Sequence, residues 1–145
     1  MSERLEDKTA IITGGTRGIG LAIARAMAAE GARVVVASRK QAGVDEALAA
    51  LTAEFPGQAF GKTCHTGHAE QVVALVDWVE AEVGQPTILV NNAATNPYFG
   101  PMLDVSEAAW DKTFQVNLKG YFEASRQVAR RLISGKVPGS IINIA

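Results

Sequence analysis

Short apolar runs alternate with longer stretches of helical periodicity along the whole chain. Mainly apolar or small residues occupy positions 9–13, 33–38, 87–90 and 140–144, and a weaker run covers residues 59–64. Continuous apolar runs of this length are typical of strands covered on both faces of a parallel sheet. The pattern therefore predicts five strands.

Between these runs, apolar residues recur every three or four positions, which is the period of an α-helix. The first helix is predicted over residues 18–30, and its predicted buried face consists of Ile19, Ala22, Ile23, Ala26 and Met27. Two further helices are predicted over residues 44–54 and 70–82. A long helix is predicted from 107 to about 134, with Ser106 as its N-cap. Right-handed crossovers then give an α/β fold, a Rossmann-type doubly wound parallel sheet in the order 3-2-1-4-5.

The composition is that of a single globular domain, with 48% hydrophobic and 20% charged residues in a chain of 145. A formal net charge of −1 gives no general attraction to nucleic acid or membrane, and we expect neither partner. No apolar run reaches the roughly 18 residues of a membrane span, and the charged N-terminus is unlike a secretory signal. The single cysteine, Cys64, excludes an internal disulfide and suits a reducing compartment. We therefore expect a cytoplasmic location.

A glycine-rich loop, Thr-Gly-Gly-Thr-Arg-Gly-Ile-Gly at residues 13–20, joins the first strand to the first helix. Glycines permit a tight turn and let backbone amides approach a pyrophosphate, while the helix N-terminus supplies N–H donors and partial positive charge. The alternative is a glycine-rich turn without a ligand, but a loop between a strand and an amphipathic helix fits the dinucleotide motif. The predicted binding residues are Gly14, Thr16, Arg17, Gly18, Ile19 and Gly20.

The second strand ends in Ser38, Arg39 and Lys40 rather than in an acidic residue. Folds that use NAD typically place Asp or Glu here to bind the ribose 2′-hydroxyl. A carboxylate would repel a 2′-phosphate, whereas a hydroxyl and two cations would attract one. Arg39 and Lys40 could instead form a solvated loop pair. We expect NADP(H) as the cofactor, with NAD(H) less favoured.

The chain resembles the short-chain dehydrogenase/reductase family. Thr13-Gly14-x-x-x-Gly18-x-Gly20 is similar to its cofactor loop, and Asn91-Asn92-Ala93-Ala94 to its Asn-Asn-Ala-Gly motif, with Ala94 replacing the glycine. The resemblance implies hydride transfer between a nicotinamide and an alcohol or carbonyl group, with Asn92, Ala93 and Ala94 at the cofactor. Residues 91–100 and Cys64-His65-x-Gly67 look closest to the NADPH-dependent carbonyl and retinal reductases.

Asn117 is similar to the family's helix asparagine, which implies a catalytic role in holding a water of the proton relay and a bend in the helix. Helical spacing places Asn117 on one apolar stripe with Trp110, Phe114, Tyr121 and Val128. A polar group that faces a core needs a hydrogen-bond partner. A structural asparagine that pins the helix is an equally good interpretation, and both can hold.

His65 follows the third strand, where many family members carry Asp near the adenine. A histidine there can stack on the base or hydrogen-bond to it, so His65 is a predicted cofactor residue. Cys64, His65 and His68 together could also suggest a metal. Three such groups on one loop without a fourth ligand make a poor zinc site, and we expect no metal.

The resemblance also implies a catalytic serine and a Tyr-x-x-x-Lys pair. This sequence has no Tyr-x-x-x-Lys, because Tyr98 is followed four residues later by Met102 and Tyr121 by Ser125. We therefore expect residues 1–145 to be an incomplete dinucleotide-binding domain, the amino-terminal portion of a longer enzyme. The intact enzyme is expected to act on a small alcohol or carbonyl compound and to form a homodimer or homotetramer through the long helix.

Other interpretations of the sequence stay open. A non-catalytic nucleotide-binding module or pseudoenzyme would bind the cofactor without turnover, whereas a purely structural domain would leave the glycine loop and Arg39 unexplained. Residues 96–99 either line the mouth of a substrate site or form a packed surface loop. The fifth strand is expected to present an exposed apolar edge.

Overall fold

A computed structural model describes residues 3–145 and contains one five-stranded parallel sheet. Its strands are β1 (Thr9–Thr13), β2 (Arg33–Ser38), β3 (Ala59–Thr63), β4 (Ile88–Asn91) and β5 (Ser140–Asn143). They are arranged in the order β3-β2-β1-β4-β5. This arrangement confirms the predicted fold class and strand order.

The central strand β1 sets the register of the sheet. Ile11 lies opposite Val35 of β2 and Leu89 of β4, and all five residues of β1 are buried. Because neighbouring strands are parallel and in step, their carboxyl ends meet at one edge. The loops that follow β1, β2, β3 and β4 are thereby brought together.

The described residues form five α-helices: α1 (Gly18–Ala29), α2 (Gln41–Glu54), α3 (Ala69–Glu82), α4 (Glu107–Phe114) and α5 (Gly120–Gly135). Of these, α1, α2, α3 and α5 cover the two faces of the sheet. Successive strand residues point to opposite faces, so Ile11 packs with α3 and α5 while Ile12 packs with α1 and α2. Two apolar layers result, as the continuously apolar strands predicted. A short 3₁₀ turn at Met102–Asp104 was not predicted.

The buried face of α1 differs from the prediction. Gly20, Ala24 and Ala28 are buried, whereas Ile19 is 65% exposed and Ala22 and Ala26 also face solvent. The predicted face was therefore wrong for these three residues, although the half-buried Ile23 and Met27 do flank the core. The cause is close packing, because a helix that approaches the sheet this tightly must present its smallest side chains.

The predicted long helix is interrupted. A π-helical segment, Gln115–Lys119, separates α4 from α5, and Asn117 lies at its centre. A π-segment adds a residue to the turn and so rotates α4 relative to α5 about the helix axis. The prediction of one continuous apolar stripe was consequently wrong for Trp110 and Phe114, which are 53% and 44% exposed, although Val128 is fully buried.

Strand β5 lies at one edge of the sheet, and its Ile141 and Ile142 are 40% and 41% exposed. This is the exposed apolar edge that the sequence predicted. Within residues 3–145, no helix combines the length and the apolar character required to cross a membrane.

Candidate functional site

A cleft of about 310 Å³ opens at the carboxyl ends of β1, β2, β3 and β4. Ligands of open α/β sheets bind at this edge. The loops after the four strands and the π-helical segment supply its walls. The lining residues are Gly14, Thr16, Arg17, Gly18, Ile19, Ala37, Ser38, Arg39, Cys64, His65, Thr66, Asn92, Ala93, Ala94, Thr95 and Val116.

Most of the predicted cofactor residues lie in this cleft, but three predicted site residues do not line it. Gly20 lies behind the glycine loop, Lys40 precedes α2 on the surface, and Asn117 contacts the loop after β4 from outside. Residues 96–99 do not line it either, and Phe99 is 96% exposed.

Sequence reasoning missed five residues of the lining: Ala37, Cys64, Thr66, Thr95 and Val116. Four of them belong to the carboxyl ends of strands or to the loops just after them. A systematic search of every strand end could have found these four. Val116 could not have been found in this way, because the π-helical segment brings it into the cleft.

The glycine loop is held by close backbone packing. A Cβ added at Gly20 would collide with the carbonyl oxygen of Gly14 and would lie 2.6 Å from Asn92 Nδ2. Gly18 has a φ of +55°, in the left-handed region that favours glycine. These two positions explain why the loop requires glycine, independently of any ligand.

Thr13 and Asn92 join the glycine loop to the loop after β4. Thr13 Oγ1 accepts hydrogen bonds from the backbone N–H groups of Asn92 and Ala93, each at 3.0 Å. The Asn92 side-chain amide donates to the carbonyl oxygens of Thr13 (3.1 Å) and Gly14 (3.2 Å). The structure therefore gives the Asn92 side-chain amide a direct role in shaping the cleft.

The charge of the cleft is positive. The N-terminus of α1 faces the loop without a capping side chain among the described residues, and Arg17 and Arg39 both line the cleft. Its described lining contains no Asp or Glu. Unpaired helix N–H groups beside two guanidinium groups favour a ligand with more than one negative charge.

His65 is half-buried where the cleft meets β3, and its ring is held by local contacts. The Gly67 N–H donates to His65 Nδ1 at 3.0 Å, and the ring packs edge-on against His68 with centroids 4.3 Å apart. Burial lowers the pKa of His65, and the nearby His68, Arg39 and Lys112 lower it further. The imidazole is therefore neutral at physiological pH.

Cys64 is only 2% exposed, and burial raises the pKa of its thiol to about 11. Its side chain belongs to the apolar layer beneath α3 and α5. A thiol in such surroundings is protonated and unreactive at neutral pH. Cys64 therefore contributes packing at the floor of the cleft, and not a nucleophile.

Two asparagines fix the elements around the cleft. The Asn117 carboxamide pairs with the backbone of Thr95, accepting from its N–H at 2.8 Å and donating to its carbonyl at 2.9 Å. Asn91 Nδ2 donates to Ser125 Oγ (3.0 Å) and to Asn143 Oδ1 (2.9 Å), which ties β4 to α5 and β5. Asn117 thus pins the π-helical segment to the loop after β4, in accord with the structural interpretation of this residue.

No metal-binding cluster is formed in the part of the chain that the structure describes, where no group of three His, Cys, Asp or Glu side chains converges. The Nδ1 of His68 instead lies 3.5 Å from a carboxylate oxygen of Glu70 on the protein surface.

Comparison with known proteins gives a family match over nearly the whole chain. Residues 8–145 match the family model described as short chain dehydrogenase. The chain is 44% identical over 141 residues to dehydrogenase/reductase SDR family member 4 of Oryctolagus cuniculus, covering 97% of this chain and 54% of that protein. The Homo sapiens protein of the same name is 49% identical over 115 residues, covering 79% of this chain and 41% of that protein. The chain thus spans about half the length of these relatives.

Solved structures share the fold. A metagenomic short-chain oxidoreductase in complex with NADP matches with a TM-score of 0.89 and 35% identity, covering 97% of this chain and 63% of that chain. A short chain dehydrogenase from Bacillus anthracis matches with a TM-score of 0.87 and 31% identity, covering 96% of this chain and 55% of that chain. With the cleft at the expected edge of the sheet and the family match spanning residues 8–145, this chain belongs to the short-chain dehydrogenase family.

Proposed function

We propose that residues 1–145 form the NADP(H)-binding domain of an oxidoreductase that transfers hydride between a nicotinamide and an alcohol or carbonyl substrate. The observation that carries this proposal is the charge of the cleft. Two arginines and an uncapped helix N-terminus face a pocket whose described lining has no carboxylate. The metagenomic relative that was solved with NADP supports the same cofactor.

The glycine loop fits a dinucleotide pyrophosphate. Gly18 has open space where a Cβ would stand, so a ligand can approach its backbone closely. The N–H groups of the first turn of α1 and the Arg17 guanidinium are the donors available to a diphosphate. Thr16, Gly14 and Ile19 complete this wall of the cleft.

The 2′-phosphate of NADP(H) would be held by Ser38 and Arg39. Both line the cleft at the carboxyl end of β2, where an NAD-binding fold would place a carboxylate. Arg39 is exposed, so it can swing onto a phosphate. Lys40 lies outside the lining, and we therefore assign it a weaker, long-range electrostatic role.

Bound NADP(H) would supply the hydride, and this chain's residues would position the nicotinamide end. Ala93, Ala94 and Thr95 line the cleft after β4, and Asn117 holds Thr95 in place through both of its backbone groups. We propose Asn117 as a positioning residue for this loop. Its role in a proton relay, implied by the family resemblance, stays a prediction.

The proposal for the intact protein extends further. An exposed apolar stripe on α4, the π-helical segment and α5 would form the contact between copies in a homodimer or homotetramer, and it consists of Trp110, Phe114, Leu118 and Phe122. We also propose a cytoplasmic location, because the sequence has a single cysteine. We propose carbonyl or retinal compounds as substrates, because residues 91–100 resemble those of the carbonyl and retinal reductases.

The test is a comparison of two charge reversals. Arg39→Asp should weaken NADPH binding by about tenfold or more, since a charge-assisted hydrogen bond contributes roughly 1.5–3 kcal/mol, and should change NADH binding far less. Lys40→Asp is the matched control and should weaken NADPH binding less. Equal cofactor preference in the wild type and Arg39→Asp, measured by fluorescence titration, would refute the assignment to NADP(H).

A non-catalytic nucleotide-binding module is the second candidate, because the contacts of the cleft account for nucleotide binding without a substrate. It predicts the same binding without turnover of any alcohol or carbonyl compound by the natural protein. Hydride transfer by that protein, followed at the absorbance of NADPH, would exclude it.

A further inference from the structure

The ring of His65 has only one nitrogen left for a ligand. Its Nδ1 accepts the Gly67 N–H at 3.0 Å, so this nitrogen carries no proton. A neutral imidazole has one donor nitrogen and one acceptor nitrogen, and Nε2 must therefore carry the proton. Within residues 3–145, Nε2 makes no hydrogen bond of its own. His65 consequently offers the cleft a donor and no acceptor.

Hydrogen bonds in the turn around His65 hold the segment in which Nδ1 accepts the Gly67 N–H. The His65 backbone N–H donates to Gln71 Oε1 at 2.7 Å, and its carbonyl accepts from the His68 N–H at 3.0 Å. Gln115 Nε2 donates to the Gly67 carbonyl at 2.7 Å, so Gly67 is itself held in place. A Cβ at Gly67 would lie 2.9 Å from His65 Cε1, so glycine at this position allows the ring to lie this close to the loop backbone.

In the proposed binding mode, the base of a bound dinucleotide would lie near His65. The proposed pyrophosphate site is at β1 and the proposed 2′-phosphate site at the end of β2, and β3 is the next strand of the sheet. The base extends beyond its ribose, toward the loop after β3 that contains Cys64, His65 and Thr66. Cys64 is buried with a protonated thiol, so His65 is the titratable group at this end of the cleft.

Purine bases differ in what they present at position 6. Adenine carries an amino group, which is a donor, whereas a 6-oxopurine carries a carbonyl oxygen, which is an acceptor. The cleft has no Asp or Glu among its described lining residues to accept from an amino group. The ring nitrogen N7 is an acceptor in both kinds of purine, so a contact there would not distinguish them.

Resting on the proposed function, we propose that His65 acts as a base-facing donor that lets this site take a 6-oxopurine dinucleotide phosphate at least as readily as the adenine form. A hydrogen bond from Nε2–H to the 6-oxo group is available only to the 6-oxopurine. The adenine amino group meets another donor there and needs an acceptor other than the His65 ring. Selectivity for the base is therefore relaxed at this position, while selectivity for the 2′-phosphate is untouched.

The experiment measures dissociation constants for NADPH and for its deamino analogue, which carries hypoxanthine in place of adenine. The protein is titrated with each nucleotide at neutral pH, and binding is followed by nucleotide fluorescence. We expect the analogue to bind equally well or up to about tenfold more tightly, the value of one net hydrogen bond. Binding of the analogue more than about threefold weaker than NADPH would overturn the proposal.

His65→Asp supplies the acceptor that the wild type lacks. Its added negative charge should weaken the binding of both nucleotides, so the ratio of the two dissociation constants is the quantity to compare. The ratio should shift by about tenfold toward NADPH. Ala69→Asp adds the same charge four residues away, at an exposed position outside the cleft lining, and should leave the ratio unchanged. An equal shift in both variants would overturn the assignment to His65.

Failure of the proposed function gives a different result. A protein that binds neither nucleotide overturns both the NADP(H) assignment and this inference. A protein that binds NADPH but strongly rejects the deamino analogue retains its function and overturns the inference alone.

Discussion

Thr13 and Asn92 are 79 residues apart in the sequence and are joined by two hydrogen bonds, from the Asn92 backbone N–H to Thr13 Oγ1 (3.0 Å) and from Asn92 Nδ2 to the Thr13 carbonyl (3.1 Å). This pair holds the loop after β1 against the loop after β4. The two walls of the cleft are thus set by the protein itself. A nucleotide would meet a preformed site, which lowers the entropic cost of binding.

Replacing Thr13 with Val should destabilise both the fold and the cleft. Valine keeps the shape of threonine but removes the oxygen that accepts from Asn92 and Ala93, in a side chain only 1% exposed. We expect a loss of about 1–3 kcal/mol in the free energy of unfolding, measured with urea, together with weaker NADPH binding. Thr13→Ser retains the hydroxyl and should stay near the wild type. An unchanged free energy of unfolding in Thr13→Val would show that these hydrogen bonds do not stabilise the fold.

Replacing Asn117 with Ala should loosen the loop after β4. Both backbone groups of Thr95 would lose their partner, at a cost of about 1 kcal/mol for each hydrogen bond. The measurement combines urea unfolding with amide hydrogen exchange at Thr95, which should accelerate. Asn96→Ala, at an exposed neighbouring position, is the control. Unchanged exchange at Thr95 in Asn117→Ala would contradict the positioning role.

The stability of the protein should decrease as the pH is lowered, because of His65. Its pKa in the folded protein is lowered from the ordinary value of 6.5, mainly by burial, so the unfolded chain binds the proton more readily. Stability from this group is complete above pH 6.5 and is lost as the pH falls through the lowered folded-state pKa. Urea unfolding at about pH 7.5 and 5.5 should show this decrease, and His65→Gln should reduce it. A decrease of the same size in His65→Gln would assign it to other groups.

Cys64 should react slowly with iodoacetamide in the native protein. Its thiol is buried and has a pKa of about 11, so roughly one molecule in ten thousand carries a thiolate at pH 7. Mass spectrometry should show slow alkylation in buffer and fast alkylation in denaturant, and Cys64→Ser should give neither. Native labelling as fast as labelling in denaturant would contradict the burial of this residue.

The strand order could be predicted from the sequence because each strand is a short apolar run and the glycine loop identifies β1. The buried face of α1 could not, since helical periodicity selects Ile19 whereas close approach to the sheet selects Gly20, Ala24 and Ala28. Periodicity shows which residues of the helix are apolar, but the distance between helix and sheet decides which side chains fit between them.

In the candidate site, too, some features could be predicted from the sequence and others could not. Residues with a known chemical signature, such as the glycine loop and Arg39, were located from the sequence and do line the cleft. A bend in the long helix at Asn117 was implied by the family resemblance, whereas the pairing of Asn117 with Thr95, 22 residues away, was not predicted. No local pattern encodes such a pairing, and the π-helical segment also contains Val116, which lines the cleft.

The assembly of the cleft from five separated segments has a kinetic consequence. Residues from the loops after β1, β2, β3 and β4 meet only when parallel strands distant in the chain have paired, and such long-range pairing is slow and occurs late in folding. A chain that has not yet reached its native topology has no assembled nucleotide-binding site. Nucleotide binding should therefore slow unfolding without accelerating folding, and so extend the lifetime of the native state.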